Sequence, residues 1–95
     1  MIEVSVTEKS VIVSGHADYA ENGKDIVCAA VSALTQNLVR GLDGLTSDIV
    51  ICAAREGHMD IEYEDLSERG KLLVDSFFIG ICDIANNYPE YLKIN

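Results

Sequence analysis

The sequence predicts an α+β fold, a mostly antiparallel sheet packed against two helices in the order β-β-α-β-β-α with a short C-terminal tail. Three observations predict it. Apolar and polar residues alternate over 2–7 and 58–64, the period of two of a half-buried strand. Apolar residues recur at helical spacing over 25–40 and 67–87. The connections at 8–10 and 55–57 are short enough to be hairpins. A chain of 95 residues is long enough for one core and too short for two, so residues 1–95 are read as one domain.

The first strand places Ile2, Val4 and Val6 on its buried face, with Glu3, Ser5 and Thr7 opposite. Glu8-Lys9-Ser10 turns the chain into a β-branched run, Val11-Ile12-Val13, which ends near Gly15-His16. Residues 17–24 carry no apolar period and contain Asn22-Gly23, so they read as a loop. The first helix spans about Asp25 to Arg40 on a stripe of Ile26, Ala30, Leu34 and Leu38, flanked by Val27 and Val31. Asp25 is its expected cap, and Gly41 or Gly44 its expected end.

Ile49 to Ala54 is apolar on both faces, which predicts a central strand. The fourth strand presents Met59, Ile61 and Tyr63 to the core and His58, Asp60, Glu62 and Glu64 to solvent. Asp65 and Glu68 have capping-box spacing, placing the start of the second helix near Ser67. Leu73, Val74, Phe77, Phe78, Ile81, Ile84 and Ala85 form its apolar arc, with Leu72 and Ile79 on the otherwise polar side. Tyr88-Pro89 closes it near Asn87, because proline disfavours helical geometry in the residue before it. The tail is Tyr91-Leu92-Lys93-Ile94.

Seven Lys plus Arg against sixteen Asp plus Glu give a net charge of −9. Such a surface repels phosphate backbones, so direct nucleic-acid binding is not expected, whereas a basic polypeptide would be attracted. No apolar run approaches the ~20 residues of a membrane span, and Met1-Ile2-Glu3-Val4 does not open a secretory signal. Cys28, Cys52 and Cys82 are an odd set without a CxxC pair, which argues for a reducing, cytoplasmic location and against a disulfide framework or a thiolate zinc site. No metal or other cofactor is expected.

Cys28 stands in the first turn of the first helix, where unpaired N–H groups favour a thiolate. Free cysteine is also among the most buried residue types, so a packed role competes with a nucleophilic one. His16 ends the strand that leads through the 17–24 loop to that helix, and an imidazole can take a thiol proton and return it to a leaving amine. A strand-end histidine on a solvated surface is the plainer reading. Cys52, in the apolar run, and Cys82, on the apolar side of the second helix, read as core residues, and His58 as a solvated one.

Gly15-His16-Ala17, followed by Gly23-Lys24-Asp25-Ile26-Val27-Cys28-Ala29-Ala30-Val31-Ser32, closely resembles the signature of the ribosomal-processing cysteine protease family, often called Prp. The resemblance implies a bacterial cysteine endopeptidase, generally dimeric, that removes the N-terminal extension of large-subunit ribosomal protein twenty-seven after an aromatic pair. It implies His16 as general base and Cys28 as nucleophile. Gly15, Asp25 and Ser32 match supporting or substrate-binding positions, with Asp25 either orienting His16 or capping the helix. The 17–24 loop is expected to cover the site, with Asn22-Gly23 as its hinge. Leu72 and Ile79, seven residues apart, suggest a homodimer surface. The alternative is a non-enzymatic acidic adaptor that grips a basic ribosomal or ribosome-associated protein through the acids between Glu56 and Glu68.

Overall fold

The structure is a computed structural model that describes residues 1–21 and 23–95. The elements are β1 (Ile2–Val6), β2 (Ser10–Ser14), α1 (Ile26–Leu45), β3 (Val50–Arg55), β4 (His58–Tyr63), α2 (Glu68–Asn87) and β5 (Leu92–Ile94). They form the expected α+β fold. The sheet order is β3-β4-β2-β1-β5, antiparallel except for β1 and β5. The tail is therefore a strand, with Leu92 opposite Ile2 and Ile94 opposite Val4.

One core fills the space between sheet and helices. Ile2, Val4, Val11, Ile61 and Tyr63 rise from the sheet, Val27, Val31, Leu38 and Leu42 come from α1, and Val74, Phe77 and Ile81 from α2. The turn between β1 and β2 is fixed by Thr7, whose hydroxyl accepts from Lys9 N–H and Ser10 N–H at 3.2 and 3.0 Å. The pairing that matters most for function is β2 with β4, where Ser14 lies opposite His58, because it carries the β3–β4 turn to the end of β2.

Helix α1 is longer than its pattern predicts and is turned about its axis. The buried line is Val27, Val31, Thr35, Leu38 and Leu42, while Ile26 is 54% exposed. Leu34 instead faces α2, since a methyl group on Gly80 would lie 2.9 Å from its Cδ1. Gly41 and Gly44 do not end the helix. Gly41 sits beside Leu73 of α2, and the chain leaves the helix at Thr46, which is extended (φ −135°, ψ 166°) and whose hydroxyl donates to Leu42 O at 2.6 Å.

Strand β3 is an edge strand, not a central one. Among the described residues it pairs only with β4, leaving Ile49 82% and Ile51 64% exposed. The two hairpins join through β2 and β4, which forces β3 outward whatever its composition. At α2 the cap is Ser67, whose Oγ accepts from Gly70 N–H at 3.1 Å and donates to Asp48 at 2.8 Å, while Asp65 takes a left-handed turn conformation (φ 49°) ahead of it. Leu72 and Ile79 are exposed as the pattern predicts, and Phe78 is exposed as well. No helix among the described residues is long and apolar enough to cross a membrane.

Candidate active site

The site forms where the end of β2, the start of α1 and the β3–β4 turn converge. Gly15 leaves β2 with φ 92°, and a side chain there would run into the Met1 carbonyl, so both its dihedral and its surroundings require glycine. Its N–H donates to Gly57 O in the β3–β4 turn at 2.8 Å. The backbone of His16 is held from the other side, its carbonyl accepting from the Met1 amino group at 2.6 Å. Its imidazole is exposed and lies against Gly57.

Ala17 turns inward and is buried, and its N–H donates to the Cys28 sulfur at 3.3 Å. The thiol is thus half-buried, packed against the core on one side and hydrogen-bonded to the residue after His16.

Asp25 organises both neighbours of the thiol. Its Oδ1 accepts from Val27 N–H at 3.1 Å and from Cys28 N–H at 2.9 Å, satisfying free donors of the first helical turn. Its Oδ2 accepts from Tyr19 N–H at 3.0 Å, tying the 17–24 loop to the helix. The Cys28 N–H above all, with the Tyr19 and Ala20 N–H groups, holds this carboxyl below its ordinary range against a smaller opposing effect of desolvation. Asp25 is therefore a cap and loop clamp. Among the described residues, no hydrogen bond joins it to His16.

The loop is anchored at Tyr19, whose ring meets those of Tyr88 and Tyr91 edge-on at centroid distances of 5.5 and 5.0 Å. Asn22 is outside the described residues, and with it the expected Asn22-Gly23 hinge.

Gly15, His16, Cys28 and Ser32 line one open cavity of about 240 Å³. Ile2, Val13, Val31 and Met59 give it apolar walls. Ser32 faces it one turn beyond Cys28. Arg55, Gly57 and His58 complete the rim. His58 is half-buried there instead of standing on a solvated face, because its strand pairs with β2 beside the site. Nothing in the local sequence marks Arg55, Gly57 or His58. Only the β2–β4 register would have found them.

Cys52 and Cys82 lie elsewhere. Cys52 is exposed on β3 and Cys82 half-buried on α2, neither being the fully buried core residue its pattern predicts. Local burial nevertheless pushes the Cys52 thiol up. Among the described residues, no group of three or more His, Cys, Asp or Glu is arranged to hold a metal ion.

A half-buried thiol at a helix start, sharing a cavity with a strand-end imidazole, is an arrangement suited to cysteine hydrolases. A family model described as cysteine protease Prp matches residues 1–93. The ribosomal processing cysteine protease Prp of Staphylococcus aureus is 30% identical over 101 residues, covering 99% of this chain and 95% of that protein. The protein of the same description from Mycoplasma pneumoniae is 50% identical, covering 98% and 92%.

Solved structures agree. The Staphylococcus aureus protease with a covalently linked product peptide superposes with a TM-score of 0.90 at 30% identity, covering 99% of this chain and 95% of that one. A Streptococcus mutans protein gives 0.87 at 36% identity, covering 100% and 92%. The fold and family together define a cysteine protease. This chain belongs to the Prp family of cysteine proteases.

Proposed function

We propose that this protease processes a ribosomal protein, removing the N-terminal extension of large-subunit protein twenty-seven after a pair of aromatic residues, with Cys28 as nucleophile and His16 as general base. The observation that carries the reading is the Ala17 N–H to Cys28 Sγ hydrogen bond, which draws the His16 segment against the thiol at the start of α1. The relatives' description as ribosomal processing proteases supports the substrate class.

In this mechanism His16 takes the Cys28 proton, and the thiolate attacks the scissile carbonyl. The new C–S bond forms as the carbonyl π pair moves to oxygen. The positive end of the α1 dipole favours the developing oxyanion, while the Val27 and Cys28 N–H groups of that turn are held by Asp25 Oδ1. Collapse breaks the C–N bond, and His16 gives its proton to the leaving amine. Water then hydrolyses the acyl-enzyme, with His16 again as base, and frees the thiol. Ile2, Val13, Val31 and Met59 offer apolar walls to the aromatic side chain before the cut.

The setting proposed is the bacterial cytoplasm. The working unit proposed is a homodimer, supported by Leu72 and Ile79, which are 70% and 64% exposed on α2. Light scattering should return twice the 10.4 kDa chain mass, and a monomer mass at micromolar concentration would refute the dimer.

Incubation with the extended ribosomal protein, followed by mass measurement, tests the activity. Two products cut after the aromatic pair are expected, and an intact substrate alongside a folded enzyme would overturn the assignment.

A further inference from the structure

We propose that Gly57, in the two-residue turn between β3 and β4, is the positioning residue for the His16 imidazole. The proposal rests on the reading of His16 and Cys28 as the reacting pair and adds a residue from a third segment of the chain. A Cβ at position 57 would lie 2.8 Å from His16 Nε2, 3.4 Å from Cδ2 and 3.5 Å from Cε1. The first of these is closer than packed atoms tolerate, so the ring occupies the space that a side chain would fill. It rests with its Nε2 edge against the turn.

Two further observations fix that relationship. The Gly57 carbonyl accepts from Gly15 N–H at 2.8 Å, so the turn is registered against the residue immediately before His16. Gly57 also has φ 70°, a left-handed conformation in which glycine carries no Cβ penalty. Among the described residues, no side chain hydrogen-bonds to the imidazole. Asp25, the acid that the family signature offers as an orienting partner, spends its oxygens on Val27, Cys28 and Tyr19. Where a catalytic imidazole lacks an orienting carboxylate, packing must hold it, and the packing surface here is the bare Cα of Gly57.

The test uses Gly57→Asn, because asparagine tolerates the left-handed conformation while adding the Cβ. Thermal melting should stay close to that of the parent. On a peptide substrate kcat should fall roughly 10–100-fold with KM nearly unchanged, the response to a displaced reacting group. The rate of Cys28 alkylation between pH 5 and 8 should fall in the same variant. In a His16→Ala background the same change should leave alkylation unaltered, because an interaction made through His16 is already lost.

Parental kcat in Gly57→Asn would overturn the proposal, as would an equal effect on alkylation with and without His16. Should the variant not fold, couplings that report the His16 χ1 angle in the unaltered protein decide instead. One rotamer supports confinement by Gly57, and averaging over several overturns it.

The underlying dyad fails separately. Cleavage by a folded Cys28→Ala protein, or unchanged cleavage and alkylation in His16→Ala, would remove the reacting pair. Loss of cleavage in both, with full activity in Gly57→Asn, would remove Gly57 alone.

Discussion

Ala17 N–H donates to Cys28 Sγ across 3.3 Å, joining the segment that leaves β2 to the first turn of α1 through the thiol sulfur itself. In that turn the Val27 and Cys28 N–H groups are taken by Asp25 Oδ1, so Ala17 is the residue whose N–H meets the sulfur. The same contact keeps the segment that carries His16 beside the thiol, because Ala17 is buried and His16 precedes it directly.

As the proposed nucleophile paired with His16, Cys28 should alkylate faster than the other two thiols. At pH 6, iodoacetamide should label Cys28 at least about tenfold faster than Cys52, whose thiol is pushed up by local burial although the residue as a whole is exposed. Peptide mapping by mass spectrometry gives the three rates in one experiment. Equal labelling of Cys28 and Cys52 would show that the thiol is not activated.

Asp25 links stability to acid. Its carboxyl is held below its ordinary range in the folded protein, chiefly by the Cys28 N–H, so its contribution is present above the unfolded value near 3.8 and is lost as pH falls through the lower folded one. Asp25→Asn keeps a capping oxygen and removes the titration. Its melting temperature should vary less with acid than the parent's. Asp25→Ala removes the cap and the Tyr19 clamp together, and should lower both melting temperature and kcat. A parental acid profile in Asp25→Asn would remove this carboxylate from the pH dependence.

Much of this site was legible in the sequence, and the remainder had a common cause. His16, Cys28 and the capping role of Asp25 depend on local order, a strand end and a helix start separated by one loop, and period and capping chemistry report such order directly. Gly57 and His58 belong to the site only because β4 pairs with β2, a contact between distant segments. The same gap explains the misplacement of β3. Six consecutive apolar residues, Ile49 to Ala54, are compatible with a central strand or with an exposed edge, and only the sheet order separates them. The rotation of α1 is of the same kind. Its apolar residues serve two surfaces, Val27 and Val31 in the core and Leu34 against Gly80, so one averaged stripe pointed between them.

Tyr63 links stability to alkali. Its ring is buried at the end of β4 and its hydroxyl donates to Thr7 O at 3.0 Å. Burial, and secondarily the charge of Asp75, raise its pKa above the ordinary 10.0. The folded state therefore holds this proton more tightly than the unfolded chain. Its contribution is complete below about pH 10 and falls as pH rises through the folded value. Tyr63→Phe should cost roughly 1 kcal/mol at neutral pH for the lost hydrogen bond. Urea unfolding between pH 8 and 11 should show a shallower alkaline decline in the variant. An equally steep decline would assign it to another group.

Charge and cavity are two separable sources of substrate preference. On the proposed function, a chain of net charge −9 should attract a basic ribosomal protein over long distances, whereas the cavity beside Cys28 should meet only the residues next to the cut through the apolar walls of Ile2, Val13, Val31 and Met59. Salt screens exposed charges beyond ~8–10 Å and leaves apolar contacts largely intact. Raising ionic strength should therefore reduce kcat/KM for the full-length protein more than for a short peptide that lacks the basic body. Replacing the aromatic residue before the cut by alanine should lower kcat/KM for both substrates at every salt concentration, since it empties the cavity without changing charge. A salt series on the two substrates, each with and without that replacement, resolves the contributions. Identical salt slopes would eliminate electrostatic capture, and indifference to the alanine replacement would eliminate the cavity as the source of specificity.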